Sequence, residues 1–306
     1  MTKSKEISFK YSVACPTLAW TGYDVLTDPE QVLGAIKGAG YDGADLPVEG
    51  LDAESIRPVL ESVGLVVPEV MGQWGYLHSG EDRDLTSMDE QTRRRGIDYA
   101  RTAIDLAAVL GAEFFNICAA QPPVPEVPFP KAPIATLRRN FAESLATICE
   151  YGAARGITIL LEPLNLYEAL PGILTSVHDA IGLIDESGFD NLAIQPDIFH
   201  MNISEASVTD ALRAAGDRIK VVHMNETNHY LLGTGHADYK AIIRTLKACG
   251  FDGYVTLYAP VISQNVFQKQ GDAADRPDLK TVLGQQLRFL KDIEAIVDEE
   301  RRIYGA

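Results

Sequence analysis

Short apolar runs alternate eight times with longer segments of helical period along this chain. The runs are Tyr11–Ala14, Gly43–Leu46, Val63–Val70, Glu113–Cys118, Ile157–Glu162, Leu192–Asp197, Ile219–His223 and Gly253–Tyr258. Several are rich in Val, Ile and Leu, the composition of strands buried on both faces. Between them lie candidate helices at Pro29–Ala39, Ala53–Ser62, Glu90–Leu110, Thr136–Ala154, Val177–Glu186, Ala206–Ala215, Tyr239–Cys249 and Pro277–Glu300. Strict β–α alternation requires parallel strands joined by crossover helices. Eight such units predict an α/β fold closed into a (β/α)8 TIM barrel, one domain over residues 1–306. Gly40, Gly64, Gly111, Gly156, Gly188 and Gly250 each stand between a helical run and the next strand, where a left-handed residue ends the helix.

A barrel of this kind carries its chemistry where the strands end. Three late runs finish in polar residues: Ile-Thr-Ile-Leu-Leu in Glu162, Leu-Ala-Ile-Gln-Pro in Asp197, and Ile-Lys-Val-Val in His223. The separations, 35 and 26 residues, are each about one βα unit. Neighbouring staves therefore bring two carboxylates and an imidazole to one mouth. Such groups are costly to bury without a partner or a metal. A mixed oxygen and nitrogen set suits Mn²⁺, Co²⁺, Mg²⁺ or Zn²⁺. The same three residues also suit an ordinary hydrogen-bonded pore mouth.

Composition narrows the partners. The net charge of −16 repels phosphate backbones, and no basic patch offsets it, so nucleic acid is not an expected partner. No run of eighteen apolar residues suggests a membrane span. Met1–Lys10 is polar and lacks a signal-peptide core, so a cytoplasmic location is expected. The four cysteines, Cys15, Cys118, Cys149 and Cys249, are widely spaced and read as buried reduced thiols. Dinucleotide, Walker and nucleophile-elbow motifs are all missing.

The segments around the three strand ends carry more. They read Glu162-Pro-Leu-Asn-Leu-Tyr-Glu168, Asp197-Ile-Phe-His200-Met-Asn202, and His223-Met-Asn-Glu226 followed by Leu232-Gly-Thr-Gly235. Together they resemble the xylose-isomerase-like barrel superfamily, in the branch that holds ketose 3-epimerases, hydroxypyruvate isomerase and inositol-pathway enzymes. The resemblance is clearest over Ile157–Tyr258. It implies that Glu162, Asp197 and His223 hold a divalent metal, Mn²⁺ first among the candidates. It also implies that Glu162 is an acid/base residue, that His200 contacts a substrate oxygen and that Glu168 lies near the reacting centre. The implied substrate is a small carbohydrate or sugar-derived molecule, and the implied assembly is a homo-oligomer or a pairing with a small partner subunit. The multi-zinc endonucleases of this fold need many strand-end histidines, and this chain has six in all.

Two positions depart from the pattern. Strand eight of the family usually ends in a glutamate that completes the metal site and serves epimerases as second acid/base group; here Gly-Tyr-Val-Thr-Leu ends in Tyr258. The arginine that epimerases tend to carry after the strand-seven histidine has His229 as its nearest counterpart. A tyrosine, with an ordinary pKa of about 10, is a poor base at neutral pH but serves as a proton donor, a ligand or a wall. The expected chemistry is proton abstraction beside a carbonyl through a metal-stabilised enediolate. An asymmetric site equally fits a carbon–carbon lyase acting on oxidised (3-keto) C-glycosides as the alpha subunit of a complex, since such subunits resemble this barrel. A non-catalytic sugar-binding barrel is the third reading. Trp20, Trp74, Asn116, Glu226 and His229 complete the candidate substrate-binding set, the tryptophans as stacking faces or plain packing. The loops Gln121–Pro133 and Ala259–Arg276 leave strand ends and are candidate lids or docking surfaces.

Overall fold

The structure is a computed structural model that describes residues 7–74, 83–119, 132–169, 172–258 and 278–304. Eight parallel strands form its centre: β1 Lys10–Ala14, β2 Gly43–Pro47, β3 Glu69–Met71, β4 Phe114–Ile117, β5 Thr158–Leu161, β6 Leu192–Ile194, β7 Val221–Met224 and β8 Tyr254–Leu257. Each pairs with its sequence neighbours except at the β6–β7 seam, and β1 pairs with β8, giving the order β6-β5-β4-β3-β2-β1-β8-β7. Parallel bridges Ile194 to Ile219 and Asp197 to His223 join β6 to β7, so the sheet curls into a nearly closed barrel. The helices are α1 Cys15–Ala19, α2 Pro29–Ala39, α3 Ala53–Val63, α4 Glu90–Leu110, α5 Ile134–Ala153, α6 Val177–Ser187, α7 Ile198–Ser204, α8 Val208–Ala215, α9 Tyr239–Ala248 and α10 Leu279–Tyr304. Among the described residues no helix is long and apolar enough to cross a membrane.

The strand period of two builds the barrel from these runs. One set of side chains, including Val13, Leu46, Val70, Phe115, Ile159, Val222 and Val255, belongs to the main apolar core. The other set includes a separate apolar plug of Phe114, Leu160, Ala193, Val221 and Tyr254. Two residues farther along the same five staves stand Asn116, Glu162, Gln195, His223 and Thr256. The alternation that puts the plug inside thus aims polar groups at the space above it, toward the strand C-termini.

Helix ends follow local chemistry. Asp28, Asp52, Asp89, Ser176, Ser207 and Asp238 each accept a backbone N–H at a helix start. All six glycines expected to end helices have positive φ. The sequence reading needs three corrections. The third strand begins at Glu69 and not at Val63, because Val63 closes α3 and Gly64 takes φ 68°. Apolar character alone does not separate a buried helix end from a strand. Glu162, Asp197 and Tyr258 lie just past their strands, although His223 lies within β7. Helices α1 and α7 were not anticipated, being too short for a periodic signal. The two long loops of the sequence reading fall almost wholly outside the described residues.

Gly253 opens β8 beside β7. A Cβ there would run into the carbonyl oxygen of Lys220 and come within 2.7 Å of the Phe251 ring. Gly253→Ala is expected to destabilise the barrel by about 1–3 kcal/mol, read as a lower melting temperature by circular dichroism.

Candidate metal centre and active site

Glu162 follows β5 and is 5% exposed. Its Oε2 accepts from Asn116 Nδ2 at 2.8 Å and from the Cys118 thiol at 3.2 Å, and its Oε1 lies 2.9 Å from His223 Nδ1. Asp197 is the N-cap of α7, accepting the His200 N–H on Oδ1 at 3.1 Å and the Asn225 amide on Oδ2 at 2.9 Å. His223 Nδ1 is 3.6 Å from that same Oδ2. The three strand-end residues of the sequence reading therefore meet at one point. An overlapping group, Glu162, Asp197 and His200, offers ligand atoms within 4.8 Å of one another.

Electrostatics fit a cation. Burial alone would raise the Glu162 carboxyl, but His223 beside it holds it below its ordinary range. Burial likewise opposes ionisation of Asp197, and the neighbouring His200, His223 and His229 hold it well below the carboxylate range. Burial lowers His223, yet Glu162, Asp197 and Glu69 outweigh it and push the imidazole up. Two carboxylates, removed from water, thus lie among histidines, with His223 and His200 acting on both. That donor set, two oxygens and a nitrogen inside an acidic pocket, suits a divalent ion.

His200 is 7% exposed, and its Nδ1 accepts the backbone N–H of Asn165 at 3.2 Å. The network thereby assigns the proton of the neutral ring to Nε2, leaving that nitrogen as the donor. Asn165 also donates to Glu168 Oε1 at 2.8 Å, so the Glu162–Glu168 loop and α7 are tied together. Tyr258 stacks on His223, with ring centroids 4.7 Å apart, and meets Trp20 edge-on at 6.4 Å. Burial and the nearby Glu162 and Asp197 charges raise its phenol, so it stays protonated. His229 has φ 58° and lies against Phe199, centroids 3.6 Å apart, and 6.3 Å from Tyr258.

Three candidates are engaged by neighbours within the protein. Trp74 is 3% exposed; its indole N–H donates to the Asn116 carbonyl and its ring is held by Tyr99 and Phe115. Asn116 itself bridges Glu162 and the Gly72 N–H. Glu226 is fully buried and bonded to its own loop. Its oxygens accept from the N–H groups of Thr227, Gly233 and Ala237 and from the Tyr239 phenol. It organises the loop that carries His229, and a Cβ at Gly235 would strike it. Sequence reasoning missed Asp45, Glu69, Gln195, Asn225 and Cys118. Asp45 and Glu69 were visible as acids inside otherwise apolar runs; Cys118 carries no such signal.

Residues 33–293 match the family described as xylose isomerase-like TIM barrel. The chain belongs to that family. Among relatives of this xylose isomerase-like barrel is L-ribulose 3-epimerase of Mesorhizobium japonicum, 26% identical over 83% of this chain and 84% of that protein. Another is 3-dehydro-D-guloside 4-epimerase of Escherichia coli, 25% identical over 80% of this chain and 93% of that protein. A solved L-ribulose 3-epimerase structure superposes with TM-score 0.81 at 22% identity, covering 98% of this chain and 99% of the other. That last likeness concerns the fold.

The donors around Glu226 outweigh its burial and hold its carboxyl below the ordinary value. A group depressed in the folded state contributes stability that is present above its unfolded value, about 4.3, and is lost as pH falls through the folded value. Glu226→Gln is therefore expected to destabilise the fold most at neutral pH. The gap from wild type should close below about pH 4, as measured by denaturant melts across pH 3–7.

Proposed function

We propose that this barrel is a sugar epimerase or isomerase that removes a proton from a carbon beside a carbonyl, with a divalent ion held by Glu162, Asp197 and His223. The observation that carries the reading is Glu162, buried and fixed on three sides by Asn116, Cys118 and His223. Its support from outside the chain is that the relatives are named as epimerases of ketoses and of a 3-keto glycoside. Mn²⁺ is the ion we assign, with Co²⁺, Mg²⁺ and Zn²⁺ sharing the same donor preference. A bound ion would draw electron density from the substrate oxygens and so acidify the adjacent C–H.

The chain's own groups divide the remaining work. Glu162 takes the proton, its carboxylate held in one orientation by its hydrogen bonds. His200 donates through Nε2 to a substrate oxygen, keeping the carbonyl beside the base. Tyr258 follows β8, three staves round the barrel from β5, and its protonated phenol suits delivery of a proton from a different side. Trp20 and the Phe199–His229 pair supply apolar faces for the sugar, and Glu168 accepts from its hydroxyls. Inversion then needs one base and one acid in place of two carboxylates.

The same first step serves a lyase. Tyr258 would then protonate a departing group, and the product would be two molecules. The acid at the β8 end favours keeping this as a second reading, since it is an asymmetric partner to Glu162.

Ketohexoses and 3-keto glycosides, incubated separately in deuterated water with Mn²⁺, are expected to gain deuterium next to the carbonyl in at least one series. Release of a second product identifies the lyase, and no exchange in either series sinks both readings. Glu162→Gln is expected to slow exchange by about 10²–10⁴-fold. Tyr258→Phe should retain exchange but lose most epimer formation; full epimerisation by that variant would make the phenol a wall. Chelator treatment is expected to abolish turnover and lower the melting temperature, and Mn²⁺ should restore both.

A further inference from the structure

His223 is held through one ring nitrogen only. Nδ1 faces Glu162 and Asp197, while Nε2 is buried with no hydrogen-bond partner among the described residues. The carboxylate on that side belongs to Glu69, whose Oε2 is 4.0 Å from Nε2, and both residues are 0% exposed. Glu69 stands at the start of β3, four staves from β7, so it reaches across the barrel axis. The Gln195 amide on the β6 stave anchors Glu69 Oε2. Glu69 Oε1 and Gln195 Oε1 are themselves without hydrogen-bond partners among the described residues. A carboxylate is expensive to place there, and the mouth chemistry does not use it directly.

A histidine that gives Nδ1 to a cation must carry its proton on Nε2, and a buried N–H needs an acceptor. We infer that Glu69, anchored by Gln195, is a positioning residue that fixes His223 in the Nε2–H form and so presents the Nδ1 lone pair to the divalent ion. The inference rests on the metal reading proposed above. A 4.0 Å gap is longer than a hydrogen bond. Metal binding that shifts the ring toward Glu69 would shorten it, and Glu69 Oε1, without a partner among the described residues, is a further acceptor there. Ring stacking by Tyr258 fixes the imidazole plane, and Glu69 fixes which nitrogen faces the mouth.

The test is calorimetric titration of the full chain with Mn²⁺, comparing wild type, Glu69→Gln, Glu69→Met and Asp45→Asn. Removing such an outer partner costs a metal site about 10–100-fold in affinity. That loss is expected for Glu69→Met, with a smaller one for Glu69→Gln, which keeps an acceptor. Asp45→Asn should leave affinity near wild type, since Asp45 accepts from Ser12 and Thr256 and makes no contact with the ring. In Zn²⁺-loaded wild type with ¹⁵N-labelled histidine, the His223 signal should show a proton on Nε2. Wild-type Mn²⁺ affinity in both Glu69 variants overturns the inference, as does an equal loss in Asp45→Asn. A proton on Nδ1 in the Zn²⁺-loaded wild type also overturns it, and that spectrum needs no variant to fold. A wild-type chain that binds no Mn²⁺ removes the metal reading and this inference with it.

Discussion

Four carboxylates, Asp45, Glu69, Glu162 and Asp197, are withdrawn from water inside one barrel, and the fully buried imidazole of His223 acts on all four. Burial of like charges at this density is unfavourable unless protons or cations intervene. The barrel divides the load. Burial pushes the Asp45 carboxyl up to about 6 and Glu69 well above its ordinary value. Glu162 and Asp197, next to the histidines, are held below theirs. Burial thus makes Asp45 and Glu69 more reluctant to ionise than ordinary carboxylates, whereas the histidines favour negative charge on Glu162 and Asp197 at the mouth.

The scaffold makes that division possible. An apolar plug fills one level of the barrel, and the strand period sets polar residues at the next. Main-chain pairing between staves fixes those positions, including the direct bridge of Asp197 to His223. Side chains then refine them: Asn116 and Cys118 grip Glu162, Asn165 orients His200, and Glu226 folds the loop bearing His229. Groups held in this way need little rearrangement when a substrate arrives, which is how oriented hydrogen bonds contribute to catalysis.

Much of this was legible beforehand. Eight alternations specified the barrel, because a parallel strand needs a crossover, and helix caps at Asp and Gly positions are written locally. Glu162, Asp197 and His223 were found because each ends its stave about one βα unit from the last. The loop bonds of Glu226 were not legible, since a motif glutamate beside a strand-end histidine looks the same whether it faces a sugar or a loop backbone. The Val63–Val70 run was misread because a helix end and a strand are equally apolar there. Glu69 sat inside that run, and its one acidic side chain was the clue to an interior polar level.

The sequence by itself determined the fold class, the order of the staves and the three residues that meet at the mouth, because periodicity and spacing are properties of neighbours along the chain. Only the tertiary structure decided that Cys118 donates to Glu162, that Tyr258 lies flat on His223, and that Glu69 faces its far nitrogen. These contacts span 44, 35 and 154 residues. Barrel closure brings them together, and no local pattern records which side chains a closed sheet will set face to face.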